Sequence, residues 1–248
     1  MCEFVVKIAG YTVLIRAVHP DVQKVFRDYL TEESPQITLE SSESGILAER
    51  QLMKQDKDLS PFADRFSDGR VESSYLHRLL AERLSEHGIV LMHGSAIALD
   101  GEAYIFVAPS GTGKSTHTRL WCETFGNRAE MINDDKPLLK CTDRGIFVCG
   151  SPWNGKHHRG ANISMPLKAI CFLKRGKENH IEQISPEDAF FPMLEASYHS
   201  NSAQNENCIL QSLQRIRQKT AFYRLRCNMD SDAARVSYEG MNHERRDD

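Results

Sequence analysis

The stretch from Ala103 to Phe125 constrains the chain most. An apolar, β-prone run, Ala103-Tyr104-Ile105-Phe106-Val107, leads into Ala108-Pro109-Ser110-Gly111-Thr112-Gly113-Lys114-Ser115-Thr116, and Thr116 to Phe125 can continue as a helix. A strand that feeds a helix through a glycine-bearing turn is the setting of a phosphate-binding loop. Gly111 and Gly113 admit backbone conformations that a Cβ would oppose. The freed N–H groups of residues 109–116 can then surround phosphate oxygens at a helix N-terminus, where the helix dipole favours an anion. Lys114 can reach the β- and γ-phosphates of a nucleotide, and the Ser115 hydroxyl can ligate Mg²⁺. The usual pattern of such loops, G-x-x-x-x-G-K-[ST], begins with glycine, and here Ala108 stands in that place.

Bulk properties narrow the setting. At 248 residues the chain can bury a full core. Its formal net charge of −3 gives no strong field towards nucleic acid or an anionic membrane. No apolar run approaches the roughly 20 residues needed to span a bilayer. Met1-Cys2-Glu3-Phe4 lacks the basic-then-apolar order of a secretory leader. Seven cysteines are scattered singly, with no C-x-x-C pair. That fits reduced thiols better than a disulfide frame or a zinc site. The expectation is a cytoplasmic protein with neither a nucleic-acid nor a membrane partner.

Residues 4–8 and 11–15 flank Ala9-Gly10 as a β-hairpin. Residues 18–70 carry mixed signals, with Glu40–Gly45 as a polar loop and Asp56–Gly69 charged, so 1–70 is predicted as a small β-rich accessory region. Helical spacing of Tyr75, Leu76, Leu79, Leu80 and Leu84 predicts an amphipathic helix over 71–86, ended by Gly88. Strands follow at 89–92 and 95–99, and Asp100-Gly101 is a strong hairpin turn into 103–107. Downstream, strands are predicted at 130–132, 138–140, 145–149, 167–173 and 221–226. Helices are predicted at 186–197, 205–219 and 230–238, the first opened by Ser185-Pro186. The second domain is placed at 71–240, and 241–248 is a charged tail.

A nucleoside triphosphate site needs an acidic element beyond the loop. Asp134-Asp135, after the short apolar strand, is the candidate: one carboxylate can ligate Mg²⁺ and the other can accept a proton from an attacking hydroxyl. Alone, the pair reads more readily as turn residues before Pro137, and it is the glycine loop upstream that favours the functional reading. His93 ends a strand upstream of the loop, where it can act as metal ligand, proton carrier or packed residue. The loop from Gly150 to Gly160 holds Trp153, Lys156, His157, His158 and Arg159. Lys156 or Arg159 can face charge on a transferring phosphoryl group, and Trp153 can pack on a base or substrate; a solvated basic loop is the alternative.

Taken in order, Met92-His93-Gly94-Ser95-Ala96, the hairpin, Ser110-Gly111-Thr112-Gly113-Lys114-Ser115 and Asp134-Asp135 resemble the HPr kinase/phosphorylase and phosphoenolpyruvate carboxykinase superfamily. The likeness runs over residues 89–175 and more weakly to 230. It accommodates Ala108, because the shared core of that loop is S-G-x-G-K. It implies an α/β nucleotide-binding core with a mixed sheet, ATP as cofactor, and Mg²⁺ or Mn²⁺ held by Ser115, Asp134 and Asp135. It places His93, Lys114 and the two aspartates in the catalytic site. Arg159-Gly160 matches an Arg-Gly pair of HPr kinases only loosely, since the residues around it differ.

The leading expectation is therefore an ATP-dependent kinase that phosphorylates a hydroxyl of a peptide, a protein or a small molecule. Carboxykinase chemistry on oxaloacetate is the alternative within the superfamily, and the short chain argues against it. A nucleotide-sensing protein without turnover is the third reading. The resemblance also brings a homo-oligomer into view, and no surface signal in the sequence decides it.

Overall fold

A computed structural model describes residues 2–57, 59–155 and 158–242. The chain divides into two compact units, Met1–Leu84 and Ser85–Asp248.

In the first unit, β1 (Cys2–Ile8) and β2 (Tyr11–Ala17) form the antiparallel hairpin that the sequence announces. Ala9 and Gly10 turn it with φ of 50° and 82°, the positive pair that suits a two-residue hairpin turn. A third strand, β3 (Ile37–Glu40), runs parallel to β2. The remaining elements of the unit are helices, which corrects the β-rich expectation. A 3-10 helix spans Pro20–Tyr29, α1 spans Glu43–Gln55 and α2 spans Asp68–Ser85. The expected polar loop at 40–45 is instead the start of α1, where Ser42 caps the helix by accepting from the Gly45 N–H at 3.1 Å. The apolar pattern of α1 is thin: it buries Ile46 and Met53, a full two turns apart, with Glu49 between them. α2 falls with the first unit, so the division lies after that helix rather than before it. Glu72 fixes α2 there: its buried carboxylate accepts from the backbone N–H groups of Val18 (2.6 Å) and His19 (2.8 Å) and from Ser41 Oγ.

The second unit is an α/β domain around a curled, mixed, nine-stranded sheet. Its strands are β4 (Ile89–Leu91), β5 (Ser95–Leu99), β6 (Glu102–Val107), β7 (Ala129–Asn133), β8 (Leu138–Thr142), β9 (Gly145–Cys149), β10 (Ser164–Arg175), β11 (His180–Ile184) and β12 (Ala221–Cys227). The order is β4-β8-β9-β10-β6-β5-β7, with β12 also on β10 and β11 beyond it. The sheet curls at β10, whose first residues pair antiparallel with β9 while the rest runs parallel to both β6 and β12. The β5–β6 turn holds Asp100 and Gly101 at φ of 53° and 85°. β11 escapes a sequence reading because His180-Ile181-Glu182-Gln183-Ile184 is a half-exposed strand on the far side of β12.

Strand β6 alternates its side chains between two cores. Ala103, Ile105 and Val107 join one with Ile170, Met193 and Leu213; Tyr104, Phe106 and Ala108 join the other with Trp121, Leu225 and Ala234. Helices α4 (Pro186–Ala196) and α5 (Ala203–Lys219) contribute to the first, and α3 (Lys114–Phe125) and α6 (Asp232–Asn242) to the second. Ser185 caps α4 as expected. Helix α6 runs to Asn242, past the expected end, so the proposed tail at 241–248 begins as buried helix at Met241; residues 243–248 lie outside the described residues. None of the seven cysteines is paired, and no described helix is long and apolar enough to cross a membrane.

Trp121 is fully buried, with ring centroids 5.0 Å from Tyr104, 5.3 Å from Phe106 and 5.8 Å from Tyr238, and its Nε1–H donates to Ser237 Oγ at 2.9 Å. Trp121→Ala is expected to cost about 3–5 kcal/mol of folding stability, read as a lowered midpoint in chemical denaturation.

Candidate functional site

The site is built where β6 stops and α3 starts. Residues 108–113 make the connection, and Gly111 and Gly113 take φ of 74° and 127°. A Cβ at either position would meet no atom within 4 Å. Backbone conformation, not crowding, is what requires glycine there. Ala108 differs: its side chain is buried in the core under α3, a contact that glycine could not make.

Lys114 opens α3 and is buried. Its Nζ donates to the Ala108 carbonyl at 2.7 Å and lies 3.0 Å from His93 Nε2. The His93 backbone is fixed by its N–H donating to Ala196 O at 2.7 Å. The other ring nitrogen, Nδ1, sits 3.1 Å from Asp135 Oδ1, with Lys136 Nζ 3.3 Å away. An ammonium only donates, so we assign Nε2 as acceptor from Lys114 at the shorter of the two lysine contacts, which leaves the ring proton on Nδ1, where the Asp135 carboxylate is nearer than Lys136. The result is a carboxylate, a neutral imidazole and an ammonium in line.

Electrostatics follow from this packing. Burial pushes the Lys114 amine below its ordinary pKa, opposed by attraction to Asp135. Burial alone would raise Asp135, but the His93 hydrogen bond and the charges of Lys136 and Lys114 outweigh it, and the carboxyl titrates below its ordinary value. Asp134 moves the other way: burial raises it, the Gly155 N–H opposes, and the neighbouring Asp135 adds to the rise.

Asn133, which the sequence reading passes over, holds both aspartates in place. Its side chain is fully buried at the end of β7. Oδ1 accepts from the N–H groups of Asp135 (2.9 Å) and Lys136 (2.6 Å). Nδ2 donates to Ser151 O at 3.1 Å and Trp153 O at 3.3 Å. One amide thus shapes the acidic turn and ties it to the 151–160 loop. The turn is held further by Gly94 N–H to Asp135 O (3.1 Å) and Ser95 Oγ to Asp134 O (3.1 Å). The Asp134 carboxylate points to that loop, accepting from the Gly155 N–H at 2.5 Å, while its buried Oδ2 has no partner among the described residues.

Of the residues singled out by sequence, His93, Lys114 and Asp135 come together directly. Asp134 adjoins them with its side chain turned aside. Pro109, Ser110, Thr112, Ser115 and Thr116 lie on the loop and first helical turn, with Ser115 exposed. Trp153 is half-buried, and its carbonyl takes part in the Asn133 network. Arg159 is exposed, and its side chain makes no hydrogen bond or ion pair with the described residues. Lys156 and His157 lie outside the described residues. Arg175 is an addition: at the end of β10 its Nη2 donates to Gly111 O at 2.5 Å. Two cavities flank the loop. One of about 530 Å³ is lined by Gly111, Thr116, Leu120, Leu173 and Met229. The other, of about 310 Å³, lies on the His93 and Pro109 side.

The family model described as SynChlorMet cassette protein ScmC matches residues 73–234, more than half of the chain, and the chain belongs to that family. The matched span contains His93, the glycine loop, Asn133, both aspartates and Arg175. No curated protein matches the chain.

Two substitutions check this geometry. Asn133→Ala is expected to lower folding stability by about 2–3 kcal/mol, because it strands buried hydrogen-bonding groups; urea denaturation measures it. Asp135 has a folded pKa below its unfolded one, so its contribution is present at neutral pH and is lost as pH falls below about 4 through the folded value. Asp135→Asn is therefore expected to unfold at a lower denaturant midpoint than wild type at pH 7, with the gap narrowing towards pH 3.

Proposed function

We propose that this family member is an ATP-dependent kinase, with a phosphate loop of the HPr kinase and phosphoenolpyruvate carboxykinase kind and a hydroxyl of a peptide, protein or small molecule as acceptor. The observation that carries the reading is the contact line from the Ala108 carbonyl through Lys114 and His93 to Asp135. It sets a cation that can reach β- and γ-phosphates beside an ionised carboxylate, at the mouth of a glycine loop that begins a helix. The seven unpaired cysteines support a reducing, cytoplasmic setting.

The phosphates rest on the N–H groups of residues 109–116. Lys114 exchanges its Ala108 carbonyl for phosphate oxygens and stabilises charge as the γ-phosphoryl group moves. Asp135 accepts the proton of the acceptor hydroxyl, and His93 Nδ1–H keeps that carboxylate oriented and ionised beforehand. The new bond joins the acceptor oxygen to the γ-phosphorus, the bridging bond to the β-phosphate breaks, and ADP leaves. The donors fit a hard divalent cation: the Ser115 hydroxyl is exposed at the helix start, the Asp135 carboxyl is held ionised, and the buried Asp134 Oδ2, on the Gly155 side, has no partner among the described residues. Mg²⁺ is usually held by one or two carboxylates plus phosphates. Mg²⁺ or Mn²⁺ bound by Ser115 and the Asp134–Asp135 pair would neutralise the β- and γ-phosphate oxygens.

Transfer of label from γ-labelled ATP to a panel of serine peptides and small alcohols tests the proposal. Lys114→Ala and Asp135→Asn are each expected to lower the rate at least about 100-fold. Wild-type protein that binds no nucleotide and labels no acceptor would refute it.

A further inference from the structure

The kinase reading, on which this inference rests, leaves the acceptor open, and the two cavities beside the loop divide the work. Lys114 Nζ lies on the Ala108 and His93 side of the loop. In a phosphate loop the lysine serves the β- and γ-phosphates, so the γ-phosphoryl end faces that side. The nucleoside then extends past Gly111 and Thr116 into the cavity of about 530 Å³. What remains on the γ side is the cavity of about 310 Å³, with His93 and Pro109 on its wall.

We infer that this second cavity seats an apolar group carried next to the accepting hydroxyl, and so selects the acceptor. Its floor is Phe172 on β10, Ile184 at the end of β11, and Pro192 and Ala196 on α4. These side chains also pack on the core between the sheet and α4 or continue it, so the floor is held by the fold. At about 30 Å³ per water, the space holds on the order of ten waters, room for one or two aliphatic side chains. At the rim stand the exposed Lys174 and Glu195, of opposite sign, and Arg224, whose charge is met by Glu182 at 3.1 Å. A rim balanced in this way does not favour a polyanionic acceptor such as a sugar phosphate. The apolar arm enters the cavity, and its hydroxyl is left beside His93 and Asp135. There the hydroxyl oxygen bonds to the γ-phosphorus, its proton passes to Asp135, and ADP departs.

The test uses the full chain saturated with a non-hydrolysable ATP analogue and Mg²⁺. Binding of N-acetyl-leucyl-serinamide and of N-acetyl-serinamide is measured by calorimetry, and transfer from ATP is measured with the same two acceptors. The leucyl compound is expected to bind, and to be used in kcat/KM, at least about tenfold better, the scale of burying one aliphatic side chain. Ile184→Arg and Pro192→Arg, on separate elements, are each expected to bring that ratio to about one while leaving affinity for the ATP analogue within twofold. Circular dichroism confirms that each variant folds, and either one suffices. A wild-type ratio near one, or a ratio untouched in a folded variant, overturns the inference and leaves the kinase reading standing. Failure of the ATP analogue itself to bind refutes the kinase reading, and the inference with it.

Discussion

Parallel pairing of β6 with β10 is the interaction on which the candidate site depends. Val107 lies opposite Phe172 at the end of that ladder. The two strands therefore release their chains at the same edge of the sheet. β6 releases the glycine loop, and β10 runs three residues further to Arg175, whose guanidinium closes back on the loop carbonyl of Gly111. Because β6 is buried on both faces and paired on both edges, neither a slip nor a tilt is open to it without exposing one of two cores. The loop's position is thus set by apolar packing well away from any polar chemistry.

The polar groups are then arranged at some cost. A buried ammonium is held by one carbonyl and one imidazole, and burial works against its charge. The carboxylate that compensates it reaches it only through His93. Asn133 supplies the rigidity such an arrangement requires, since both its amide groups are used inside the fold. The site combines a line of charged groups with a neutral amide whose bonds all stay inside the fold.

How much of this the sequence announces depends on how local each signal is. The Asp100-Gly101 turn and the Ser185 cap are written in adjacent residues and appear as read, while α3 starts at Lys114, two residues before the expected Thr116. His93, Lys114 and Asp135 could be grouped because a motif order brought them together, although their contacts are long-range. Asn133 could not be found that way. An asparagine before two aspartates reads as turn chemistry, and its value lies in bonds to residues 151 and 153 on another loop. Arg175 was equally hidden, since only the β6–β10 register carries it to the glycine loop. In the first unit the failure was periodicity: α1 buries too few apolar residues to declare itself, and its inward Glu49 pairs with Arg78 instead.

The contact between Trp121 and Ser237 has a temporal side. Helix α3 carries Lys114 at its first turn and Trp121 two turns later, and that indole is bonded and boxed in by residues of α6. Tyr104, on the strand that feeds the loop, reaches the same helix through its hydroxyl at Asn242. Chains are made from the N-terminus onwards, and domains fold as units. The glycine loop is synthesised near the middle of the chain, yet the helix behind it has no finished support until α6 has been made. A nascent chain halted before that point carries every residue of the glycine loop without the wall that fixes it.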